Sequence, residues 1–162
     1  MEQQKTQQQL STNTMFMTNR IFVDSSVLIE PLQNRKVKFY KSLVLNHTFT
    51  CCINAIVVSE YLYKYIGLQN LGSPRTVQEN NKISEALKPY LITRTLEEFQ
   101  LLEINNEIIN NVPEIMSRYN LLPNDAIILA TCKIHNITQL ASHDKDFAEA
   151  CRVEGVKLLT EE

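Results

Sequence analysis

Five acidic residues stand where this chain's pattern can gather carboxylates: Asp24, Glu60, Asp125 and the pair Asp144 and Asp146. Asp24 closes the short apolar run RIFV, and Asp144 and Asp146 follow a second such run, ITQLAS. Asp125 comes directly after LLPN at the head of an apolar stretch, and Glu60 lies inside VVSEYLY. An unpaired ionised glutamate in apolar surroundings is costly, so Glu60 needs a partner, and a metal cation is one. Clustered carboxylates repel one another, and their pKa values rise unless a cation neutralises them. Hard oxygen donors favour Mg2+ or Mn2+ over zinc. A cation held this way lowers the pKa of a bound water and clamps a phosphodiester.

Each acid also has a plain structural use. Asp24 can cap the turn after its strand, and Asp125 and Asp144 can each cap a helix. Glu60 has Lys64 four residues on, the favourable order for an exposed ion pair. What raises the signal is the set, because an α/β sheet collects ligands beyond the carboxyl ends of its strands. No other catalytic constellation competes: there is no G-x-S-x-G, no P-loop and no G-x-G-x-x-G. With only three glycines, phosphate-cradling loops are nearly excluded.

The elements that must position these acids follow from periodicity. Residues 20–24 read as a buried strand, and Pro31 stops any long helix after it. Residues 36–46 have helical spacing, 47–53 form a second strand, and Asn54 caps a helix that ends at Gly67. Residues 68–75 read as a loop hinging two helical lobes. Thr76-x-x-Glu79 and Thr95-x-x-Glu98 match capping boxes, predicting helices over 76–88 and 96–111 with the strand YLIT between them. Pro113 is expected to interrupt or restart the second of these. Asn124 or Asp125 starts a further helix, 137–142 is a strand, a short helix ends at Gly155, and VKLL is the last strand. Strands alternating with helices predict a three-layer α/β/α sandwich with a small central parallel sheet.

The 162 residues suit one domain with a single core. Residues 1–18, Gln-rich and without periodicity, are expected to be a disordered tail, with Met15 and Met17 as alternative starts, and 19–162 the folded domain. The net charge of −2 gives no basic signal for nucleic acid, but carboxylates awaiting a metal hide in that sum. The four cysteines form no C-x-x-C pair and read as buried hydrophobes of a reducing cytoplasm. No stretch approaches the ~20 apolar residues that span a bilayer. Arg35, Lys36, Lys38 and Lys41 are the densest basic run, either holding RNA phosphates or forming a solvated helix face. Tyr61, Tyr63 and Tyr65 alternate within one helix and cannot share a face.

Four segments together resemble PIN domains. IFVDSSVLIE is similar to their opening strand and Asp, INAIVVSEYLY to their Glu-bearing helix, LLPNDAIILATCKIHNI to their third motif, and QLASHDKDF to their last. The segments occur in family order over about residues 20 to 159, and the likeness is strongest to VapC-type toxins. The spacer between Glu60 and Asp125 is long beside a minimal toxin of that type. The resemblance implies a PIN-like, Mg2+- or Mn2+-dependent endoribonuclease with an RNA substrate, a cognate antitoxin protein and a homodimeric state. It makes Asp24, Glu60, Asp125 and Asp144 the acidic quartet, with Asp146 a further ligand or supporting acid. It also matches Ser26 and Ser142 to hydroxyl or amide positions near the metal, where capping or turn formation is the alternative role. Two other readings accompany it: a PIN-like nuclease of RNA maturation, and an inactive PIN module that binds RNA or protein.

Overall fold

The first strand, β1 (Arg20–Val23), is buried at three consecutive positions, Ile21, Phe22 and Val23. A strand with no exposed face must be covered on both sides, which is the condition of a parallel sheet between helical layers. The computed structural model describes residues 19–161 and has this arrangement. The expected tail and the alternative starts lie outside the described residues.

β1 runs into α1 (Ser25–Ile29) and a 3-10 turn over Glu30–Gln33, where Pro31 ends the regular helix as expected. α2 (Val37–Val44), β2 (Thr50–Asn54) and α3 (Ala55–Gly67) follow. Asn54 caps α3 through its side chain, accepting from the amides of Ile56 and Val57. Three short helices come next: α4 (Pro74–Glu79), α5 (Ile83–Ala86) and α6 (Pro89–Leu96). β3 (Gln100–Leu102), α7 (Asn106–Tyr119), α8 (Pro123–Ile134), β4 (Gln139–Ala141), α9 (Phe147–Glu154) and β5 (Lys157–Leu159) complete the described residues.

The five strands are parallel in the order β3-β2-β1-β4-β5. The chain winds outward from β1 through β2 to β3, then returns to β1's other side with β4 and β5. Right-handed crossovers running in the two directions put their helices on opposite faces, so the fold is the three-layer sandwich expected. The seam between β1 and β4 is the point where strand order reverses. Val23 pairs with Ala141 there, and the amide of Asp24 donates to the Ala141 carbonyl at 2.9 Å. The carboxyl ends of both strands therefore open into one crevice. The four cysteines are buried and free, and among the described residues no helix is long and apolar enough to cross a membrane.

Residues 68–105 depart most from expectation. The cap before α4 is Ser73, with Pro74 at the first helical position, and Thr76 lies inside the helix. YLIT belongs to α6, not to a strand, and Thr95 sits near that helix's end rather than capping a new one. Its hydroxyl donates back to the Leu91 carbonyl at 3.0 Å, a bond that lets threonine sit within a helix. The third strand falls at 100–102, where a helix was expected. Asn105 then caps α7, which runs through Pro113 without a break. Proline deprives the Ile109 carbonyl of its partner, but both residues are exposed and water can replace it.

Candidate active site

Asp24 is the innermost of the acids, only 5% exposed. It is the N-cap of α1 and also the hub of a hydroxyl network. Its Oδ2 accepts from the Ser26 hydroxyl at 2.6 Å, the Ser142 hydroxyl at 2.8 Å and the Ser26 amide at 3.3 Å. Both serines accept in turn, Ser26 from the His143 amide and Ser142 from the Asp144 amide, each at 3.0 Å. Capping and support of Asp24 are thus the same act. Among the described residues Oδ1 makes only one long contact, 3.5 Å from the Ser25 hydroxyl. It is the oxygen with capacity left for another ligand.

Glu60 reaches the same place from α3. Asn54 sets that helix: besides capping it, the fully buried side chain donates to Thr131 Oγ1 of α8 at 3.0 Å. With α3 and α8 tied together, Glu60 Oε1 accepts from Asn124 at 2.6 Å and Oε2 accepts from Ser25 at 2.6 Å. Among the described residues Glu60 makes no ion pair with Lys64, and its two oxygens accept from these donors instead. From the sequence Asn124 reads only as a helix start and Ser25 carries no role, although each is a chain neighbour of one of the acids.

Asp125 does not cap α8. Leu122 holds the cap position, Pro123 follows it, and Asp125 lies in the first turn. A helix N-terminus favours a carboxylate by ~0.3–1 kcal/mol, less than one pKa unit. Here opposing effects win. Burial first, and then the charges of Asp144, Asp24, Glu60 and Asp146, push the Asp125 carboxyl up to about 6. Mutual repulsion of this kind is what the clustering of acids leads one to expect.

Asp144 is exposed at the mouth of the crevice. Its Oδ1 accepts from the Asp146 amide at 2.8 Å, which fixes the turn after β4. Asp24, Glu60, Asp125 and Asp144 line one cleft of about 480 Å3, together with Ser26 and Asn124. Asp146 is not part of this lining. It begins α9 without a side-chain cap bond and bears on the site through its charge and its amide. Of the basic run, Arg35 pairs with Glu30 at 2.8 Å and Lys36 lies 3.2 Å from His143 Nδ1.

Among the described residues no three acids, histidines or cysteines close tightly enough to cage an ion. The donors are carboxylates facing an open cleft, with Asp24 Oδ1 short of partners. Mg2+ keeps several of its waters and takes one or two carboxylates, so an open carboxylate cleft fits it better than a closed cage would.

The PIN domain family model matches residues 21–153. The chain is 33% identical over 141 residues to Ribonuclease VapC2 of Methanocaldococcus jannaschii, covering 86% of this chain and 95% of that protein. It is 34% identical over 156 aligned residues to Ribonuclease VapC6 of the same organism, covering 86% and 97%. A solved structure, a toxin–antitoxin complex from Klebsiella pneumoniae, shares the fold with a TM-score of 0.53 at 21% identity, covering 79% of this chain and 90% of that one. Motif order and the extent of these matches agree, and the chain belongs to the PIN domain family.

Proposed function

We propose that this protein is an endoribonuclease that hydrolyses RNA phosphodiester bonds with the aid of Mg2+ or Mn2+, and that it acts as the toxin of a toxin–antitoxin pair. The observation that carries the reading is the convergence of Asp24, Glu60, Asp125 and Asp144 on one cleft at the β1–β4 seam. The names of the two archaeal ribonucleases support the reaction, and the Klebsiella pneumoniae complex supports an antitoxin partner. A homodimer is part of the same proposal.

When bound, the divalent cation would polarise a phosphoryl oxygen and acidify a water. Asp24, Glu60, Asp125 and Asp144 would hold it, with Asp146 in support. Ser26 and Ser142 lock Asp24 by its Oδ2, so its free oxygen is presented in one orientation. Ser25 and Asn124 fix the Glu60 carboxylate by one bond to each oxygen, which leaves each oxygen a further lone pair. Such bonds orient ligands before the cation arrives.

The test is cleavage of total RNA with Mg2+ present and product ends mapped, for the parent and for Asp24→Asn and Asp125→Asn. Both variants should lose cleavage while remaining folded. Cleavage by both at the parent's rate overturns the site. Expression of the parent should arrest growth, relieved by coexpression of an antitoxin encoded beside it.

A further inference from the structure

The helix that delivers Glu60 continues along the cleft with an aromatic ring and a cation. Glu60, Tyr63 and Lys64 stand at i, i+3 and i+4 of α3, which places them on one helical face. All three line the same cleft. The neighbouring tyrosines are core residues, Tyr61 at 1% and Tyr65 at 6% exposure, whereas Tyr63 is 58% exposed. Burial of the helix's other face therefore does not account for the ring at 63. Lys64 is likewise not spent on Glu60, whose oxygens are held by Ser25 and Asn124. It takes part in none of the salt bridges among the described residues. An exposed ring beside an uncommitted ammonium, one turn from a carboxylate centre, has the chemistry of a single-strand track. Aromatic rings stack bases of any sequence, and lysine meets the phosphate between them. A paired base offers no free face to such a ring, so the track takes an unpaired nucleotide.

We propose that Tyr63 stacks a base of single-stranded RNA next to the scissile phosphate and that Lys64 contacts the adjoining backbone phosphate. The proposal rests on the ribonuclease reading above and specifies the strand that site accepts.

The experiment measures binding of a fluorescent single-stranded oligoribonucleotide to the full chain in Ca2+, and cleavage of the same oligonucleotide in Mg2+. Tyr63→Ala should weaken binding about five- to 150-fold, the range for loss of one stacked base, and Tyr63→Phe should bind like the parent. Lys64→Gln should weaken binding uniformly across sequences and lower the slope of log affinity against log salt by about one. An abasic spacer moved along the oligonucleotide should weaken the parent at one position and leave Tyr63→Ala indifferent there. That loss of sensitivity separates stacking from mere damage to α3. The inference is overturned if Tyr63→Ala binds like the parent, if Tyr63→Phe is as impaired as Tyr63→Ala, or if the abasic effect persists in Tyr63→Ala. It is also overturned if the sole effect of Tyr63→Ala is a change in oligomeric mass, which would make the ring a contact between copies. In each of these cases a parent that still cleaves RNA leaves the ribonuclease reading standing. A parent that neither binds nor cleaves RNA removes both.

Discussion

Ser142 donates its hydroxyl to Asp24 Oδ2 at 2.8 Å across the β1–β4 seam, and Ser142 is fully buried. The bond joins the carboxyl ends of two strands and settles which oxygen of Asp24 is free. Ser142→Ala removes the hydroxyl and should loosen that choice. Cleavage and Mn2+ affinity should each fall about 10- to 100-fold, the usual cost of losing a residue that orients a ligand. Ser26→Ala should act in the same direction, since its hydroxyl is on the same oxygen at 2.6 Å. Calorimetric Mn2+ binding equal to the parent's in both variants would show that the serines serve only the turns.

Burial of Asp125 and its repulsion by the neighbouring acids predict a pH-dependent stability. Its folded pKa is raised from 3.8 to about 6, so the folded state favours the protonated form. The stabilisation is complete below pH 3.8 and is lost as pH rises through about 6. In EDTA at pH 8, Asp125→Asn should therefore melt above the parent, and the gap should close toward pH 4. Added Mg2+ or Mn2+ should raise the parent's Tm more than the variant's, because on the proposed function a cation would bind only the folded cluster. A variant that melts below the parent at pH 8 contradicts the repulsive cluster.

Asn124 is neutral and donates to Glu60 at 2.6 Å. Asn124→Ala removes the donor and should lower kcat/KM about tenfold. Asn124→Asp removes it and adds a like charge beside Glu60, and should cost about tenfold more. Excess Mg2+ should recover part of the second loss and little of the first. If the aspartate variant is the more active of the two, Asn124 does not hold Glu60 in the way described.

Asn54 couples stability to activity. Its carboxamide caps α3 and binds Thr131 of α8. Asn54→Ala should cost about 2 kcal/mol in urea unfolding, a lost cap plus a lost buried hydrogen bond. Thr131 keeps its 2.7 Å bond to the Ile127 carbonyl, so no orphaned hydroxyl adds to that figure. Cleavage should fall as well, at a temperature where the variant is fully folded, because Glu60 and Asn124 are no longer held in register. A variant destabilised with unchanged kcat/KM would limit Asn54 to the fold.

The parts of this chain that the sequence made legible are those where local chemistry and tertiary position agree. Asn54 and Gly155 end their elements by capping geometry alone, and RIFV is apolar enough to be a buried strand in any context. The four acids of the cleft were readable because each marks the end of an element or, for Glu60, an apolar helix that needed a reason for its charge. Residues 68–105 were not legible. Thr76 and Thr95 each stand three residues before a glutamate, but Ser73 with Pro74 behind it is the stronger helix start. In α6, Tyr90 and Leu91 are exposed and only Ile92 is buried, so a β-branched run read as strand sits on a helix whose inward face is narrow. β3 buries only Leu102 and leaves Gln100 and Leu101 exposed, so no apolar run marks it as a strand. The bonds of Ser25 and Asn124 to Glu60 were not legible, because a hydrogen bond between side chains 35 or 64 positions apart leaves no mark in local pattern.

The 118 positions that separate Asp24 from Ser142 also set the order of events on the ribosome. β1 is made early, but its neighbour at the seam, β4, is made only after every helix from α1 to α8. A nascent chain that has not yet released β4 has an edge where the cleft should be, lacks Asp144, and holds Asp24 without its buried hydroxyl. The carboxylate cluster thus closes only once β4 and the turn that carries Asp144 have been made.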